Sequence, residues 1–111
     1  MILPKSVRVG YRDYAVNEYD ARMAEAERQW GWHSSGLHEI QVRLSGLRDS
    51  EIANTLLHEV LHAAYQVADI KQGDDEERTV TAIANQLTQV WRDNPELIAF
   101  ISDALTPQPS L

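Results

Sequence analysis

The chain contains no cysteine. That excludes a disulfide framework and any thiolate metal site, so a transition-metal centre must be assembled from His, Asp, Glu and water. Positive charge is also scarce: 10 Lys and Arg stand against 17 Asp and Glu, a net charge of −7. A duplex-binding surface needs clustered Lys and Arg, so nucleic acid is not the expected partner, whereas neutral or cationic proteins and peptides are. No apolar run approaches the roughly 20 residues of a membrane span. The segment Met1-Ile2-Leu3-Pro4-Lys5 has no signal-peptide h-region, and the expectation is a cytoplasmic protein without membrane contact. No internal repeat is visible. What is present is ordinary globular composition over 111 residues, 43% hydrophobic and 24% charged. That length suits one small domain, expected over 1–105 with a flexible tail at 106–111.

Hydrophobic spacing divides the chain into alternating elements. Ser6 to Val16, broken near Gly10, reads as one or two short strands. Tyr19, Met23, Ala26 and Trp30 recur at helical spacing, which predicts a helix over about 18–30, capped by Asn17 or Asp20 and ended by Gly31. Ser34-Ser35-Gly36 is a turn, with His33 in it. His38, Ile40, Val42 and Leu44 then alternate with polar residues as a half-buried strand. Three helices follow, over about 50–68, 75–92 and 95–104, with the last opened by Asn94-Pro95. The 75–92 helix is expected to turn Val80, Ile83, Leu87 and Val90 inward, and Trp30 and Trp32 to pack between sheet and helix, with a wall of the substrate cleft as the alternative. The expected class is α+β: a small, mostly antiparallel sheet with about four helices packed on one side.

The helix over 50–68 holds His58-Glu59-Val60-Leu61-His62. Residues four apart share a helix face, so both imidazoles can bind one ion, and Glu59 sits beside it where it can take a proton from the attacking water. The predicted core stripe of this helix is Ala53, Leu56, Leu57, Val60, Leu61, Ala64 and Val67. A neighbouring stripe carries Thr55, His58, Glu59, His62 and Tyr65. Polar groups on a buried helix need partners, which a metal and its water would supply. A third ligand must come from elsewhere, because residue 68 is Ala where the metzincin pattern has His. The acidic run Asp74-Asp75-Glu76-Glu77 opens the next helix. Glu77 precedes Val80 by three positions and Glu76 by four, so both remain candidates on the inward side; such acids also complement a helix N-terminus. Tyr65, seven positions past His58, can donate to a developing oxyanion or simply close the helix as a half-buried tyrosine.

Thr55-Leu56-Leu57-His58-Glu59-Val60-Leu61-His62-Ala63, then Asp75-Glu76-Glu77-Arg78-Thr79-Val80, then Arg92-Asp93-Asn94-Pro95, resembles the small zincin-type metallopeptidase-like proteins of phages and prophages. It is similar, more distantly, to the ImmA/IrrE and SprT-like groups. The resemblance implies a minimal gluzincin with Zn2+ held by His58, His62 and Glu77, Glu59 as general base and Tyr65 as the nearest candidate electrophile. It further implies a protein or peptide substrate laid along the strand before the motif helix, His38 to Leu44. The expected activity is therefore that of a zinc-dependent hydrolase. The same residues would serve a catalytically inactive, zinc-stabilised protein-binding module, and a degenerate zincin would bind no metal.

Overall fold

In a computed structural model, residues 2–70 and 75–107 are described. Asp74, one of the four candidate acids, and most of the expected tail lie outside them. β1 (Ser6–Val9) and β2 (Arg12–Glu18) form an antiparallel hairpin. Its two-residue connection has Gly10 at φ +60°, the backbone sign that twisted hairpins need there. A side chain at Gly10 would also collide with Val67.

β2 then pairs in parallel with β4 (Glu39–Val42), and β4 pairs antiparallel with β3 (Gly31–Ser34), giving the order β1-β2-β4-β3. The sheet is mixed: both outer pairs are antiparallel and the central pair is parallel. The parallel pair requires a crossover, and α1 (Ala21–Glu27) lies within it.

That helix is shorter than its apolar spacing predicts. The Asp20 carboxylate accepts hydrogen bonds from the backbone N–H of Arg22 at 2.9 Å and Met23 at 3.1 Å. The helix stops at Arg28, which turns left-handed at φ 55°. Tyr19 precedes the helix and is buried, donating to Glu27 at 2.9 Å.

Inward positions of the two central strands alternate as their period demands. Tyr14 and Val16 of β2 and Ile40 and Val42 of β4 are buried on one face. α2 (Asp49–Val67) covers that face with Ile52 and Ala63, joined at the edges by Leu56 and Val60. Burying each large side chain here contributes about 1.5–3 kcal/mol.

α3 (Glu76–Asp93) packs against α2 through Val80 and Ala84, both fully buried. Ile83, expected inward, is 39% exposed, because the contact line runs along the 80–84 row. α4 (Pro95–Leu105) follows at once and buries none of its residues. The class is α+β as expected. Among the described residues no helix is long and apolar enough to cross a membrane.

Candidate metal centre and cleft

α2 is covered on one side by the sheet and on another by α3. Its polar stripe falls in the seam between them, and this corrects the expected burial of the helix. Thr55, Glu59 and His62 are buried, whereas Leu57 and Leu61 are half-buried and Ala53 is exposed. The seam buries polar groups, so each has a partner, and those partners define the site.

His58 and His62 direct their Nε2 atoms at one point, 3.2 Å apart. Glu77 reaches that point from the first turn of α3, with Oε1 at 2.8 Å from His58 Nε2 and Oε2 at 2.7 Å from His62 Nε2. His58, His62 and Glu77 form a group whose ligand atoms all lie within 4.8 Å of one another, close enough to hold a metal ion. Glu76 has a different position from its neighbour. Its Oε2 lies 2.8 Å from Nδ1 of His62, on the far side of that ring from the ligand point. The two adjacent glutamates thus differ: Glu77 meets the converging Nε2 atoms, and Glu76 holds His62 from behind, the arrangement that carboxylates commonly give to metal-binding histidines.

The donor set fits a cation. A neutral imidazole carries one ring hydrogen. With Nδ1 of His62 donating to Glu76, its Nε2 presents a lone pair to the Glu77 carboxylate. Electron-rich atoms converging in this way repel unless a proton or a metal ion lies among them.

Glu59 is 6% exposed and stands beside the cluster without belonging to it. Its Oε1 lies 2.7 Å from Nδ1 of His33, and the His33 ring stacks on that of His62 at 4.9 Å and 15°. The hydrogen bond to Glu59 raises the pKa of His33 above 6.5, against the opposing effect of burial. Glu59 Oε2 faces Gly31, where a Cβ would approach it to 2.9 Å and Thr55 Cγ2 to 2.7 Å. Only glycine leaves that carboxylate its room.

His33, expected in a turn, lies on β3. His38, expected on a strand, occupies the β3–β4 turn at φ 49°, with its ring 5.7 Å from Tyr14. One feature of the sequence does mark β3: a glycine between aromatic residues, which in a strand signals close approach of another group. A cleft of about 510 Å³ opens over the cluster, walled by Trp30 and Trp32 on one side and by Asn54, Thr81 and Asn85 on the other. The tryptophans therefore line the cleft, and Trp30 is 47% exposed instead of packing between sheet and helix. Tyr65 is half-buried and is not among the cleft-lining residues. β4, the strand expected to receive a peptide, is paired on both sides, and β3 is the sheet edge nearest the cluster. No family model matches the chain, and no match is found among curated proteins or solved structures.

Proposed function

We propose that the protein is a zinc-dependent hydrolase, specifically a metallopeptidase, with His58, His62 and Glu77 as the zinc ligands. The observation that carries this reading is Glu59: a buried carboxylate on the ligand face, outside the ligand set, in the wall of a cleft that exposes the cluster. Three protein ligands leave a position open, the pattern of catalytic rather than structural zinc. Ligand atoms around a tetrahedral zinc with bonds near 2.0–2.1 Å lie about 3.3 Å apart. The two imidazole nitrogens stand at 3.2 Å, and Glu77, at 2.7–2.8 Å from them, would draw back by about half an ångström to admit the ion.

A zinc ion bound there would polarise a scissile carbonyl and activate water at neutral pH. The chain's own groups supply the rest. His33 fixes the Glu59 rotamer through Oε1, and Gly31 keeps space beside Oε2, the oxygen left to accept a proton from water. Glu59 then returns that proton to the departing amine. β3 offers unpaired main-chain groups along the cleft wall, where an extended peptide can add as a further strand. Tyr65 has no part in this assignment.

The test is Glu59→Gln. Metal content by mass spectrometry should remain near one zinc per chain, while cleavage of a peptide library falls by at least about a hundredfold. His62→Ala should lose the metal. Undiminished cleavage by the Glu59→Gln variant would eliminate the mechanism.

One observation favours a second reading, a zinc-stabilised binding module. Glu59 Oε1 is already occupied by His33, as in a carboxylate with a structural duty. Full zinc occupancy with no cleavage product from any library peptide would select it.

A further inference from the structure

The cleft over the cluster has a direction. Gly31 faces Thr55 and Glu59, and His33 faces Glu59 and His62, so β3 runs alongside α2 in the same sense. α3 runs the opposite way: Glu77 meets His58 and His62, and Asn85 meets Asn54, one turn back from His58. The part of α2 that lines the cleft, Glu51 to His62, rises about 16 Å, the length of about five extended residues. The ligand cluster occupies one end of this trough, and the two asparagines stand on the wall across from β3.

An extended peptide has two rows of main-chain groups, because successive residues point their N–H and C=O to opposite sides. Pairing with β3 satisfies one row. The other row faces α2 and α3, and main-chain groups removed from water need partners. Asn54 Nδ2 donates to Asn85 Oδ1 at 2.7 Å. That bond uses one N–H of Asn54 and one lone pair of Asn85. It leaves the carbonyl oxygen of Asn54 and the NH2 of Asn85 for another partner, one acceptor and one donor side by side. This is the complement of a peptide's own N–H and C=O. Both asparagines stand inside helices, where their type is a poor helix former, so the fold of α2 and α3 alone does not favour them.

We propose that Asn54 and Asn85 form a main-chain clamp, holding the outer edge of an extended peptide whose inner edge pairs with β3. Asn54 Oδ1 accepts one peptide N–H, and Asn85 Nδ2 donates to a neighbouring peptide C=O. The ligand is thus an unfolded or looped segment, recognised by its backbone along about five residues. The clamp is neutral and touches no peptide side chain, so it admits many sequences. This inference rests on the reading of the cleft as a peptide site.

The experiment measures binding without turnover, by fluorescence anisotropy, in the zinc-loaded Glu59→Gln chain. The probe is the tightest-binding member of a fluorescein-labelled decapeptide library, remade with one amide N-methylated at a time. Adding Asn54→Ala and Asn85→Ala should weaken binding by about tenfold or more, with zinc content unchanged. Alanine suits a helix interior better than asparagine, so the variant keeps its helices. N-methylation should weaken binding at alternate positions, which pair with β3, and at one further position between them, which meets Asn54. Only that further position should become indifferent in the asparagine variant, a change that a merely structural bond between helices would not produce. Equal affinity with and without the asparagines overturns the clamp, and so does an unchanged methylation profile or a library with no binder. Asparagine-dependent binding beside a wild-type chain that cleaves nothing would remove the hydrolase and keep the clamp.

Discussion

Glu59 is the side chain on which the site turns, and its energetics explain the residues around it. A buried carboxylate without a partner costs several kcal/mol, so its hydrogen bond from His33 at 2.7 Å has structural weight. The same contact holds the His33 pKa above its ordinary 6.5. A histidine that binds its proton more tightly when folded adds stability below its unfolded pKa. That stability disappears as pH rises through the folded value. The metal-free protein should therefore lose stability as pH rises above about 6.5 in urea denaturation. His33→Gln keeps a donor for Glu59 and removes the titration, so its stability should vary less with pH. Equal pH slopes for the two proteins would show that the His33–Glu59 bond does not couple to folding. At this scale the sequence is most legible in His58, Glu59 and His62, because a helix places them by periodicity alone. It leaves Glu76 and Glu77 unresolved, since adjacent residues at a helix start differ only in which side of the His62 ring they reach, and the packing of α3 on α2 decides that.

Elements whose own periodicity matches their environment are readable, and those defined by a neighbour are not. α2, α3 and α4 lie within a residue or two of their expected bounds, and β4 shows its alternation in Ile40 and Val42. β3 has no apolar alternation. Gly31-Trp32-His33-Ser34 becomes a strand by pairing with Gln41 and its neighbours in β4, and turn-forming Ser34-Ser35-Gly36 hides the hairpin. The missing strand explains the other differences: His33 moves from a turn into the site, β3 takes the sheet edge beside the cleft in place of β4, and the tryptophans go to the cleft wall instead of the sheet–helix interface. It also gives Gly31 a role that composition cannot show. Gly31→Ala should force a Cβ against Thr55 and Glu59 at distances of 2.7 and 2.9 Å. Both neighbours are buried, and overpacking of this kind costs about 1–3 kcal/mol. Chemical denaturation should report that loss as a lower midpoint at constant slope. An unchanged midpoint would mean that Glu59 can swing aside at no cost, and that its position is not fixed by β3.

The molecule as a whole is two parts joined through α2. The sheet and α2 share one apolar core built on Tyr14, Val16, Ile40, Val42, Ile52 and Ala63. The α3–α4 pair packs mainly on the opposite flank of α2, and its fully buried contacts are the small and medium side chains Val80 and Ala84. The candidate ligands span this division, with His58 and His62 on α2 and Glu77 on α3. A bound zinc ion would therefore act as a clamp between the parts, and its effect on local opening should be uneven. At a free zinc concentration about a hundred times the dissociation constant, binding adds about 2.7 kcal/mol to every opening that breaks the site. Openings confined to the sheet edge or to the end of α4 gain nothing. Hydrogen exchange in the metal-free protein should be faster along α3 than in β2 and β4, because the α3 contact buries less apolar surface. Adding zinc should slow exchange by up to roughly a hundredfold over the first turns of α3 and the His58–His62 stretch of α2, and leave β1 unchanged. Glu77→Ala should abolish most of that protection in α3 while the sheet exchanges as before. Uniform slowing across all elements would mean that the chain opens only as one unit, and that the division at α2 has no energetic counterpart.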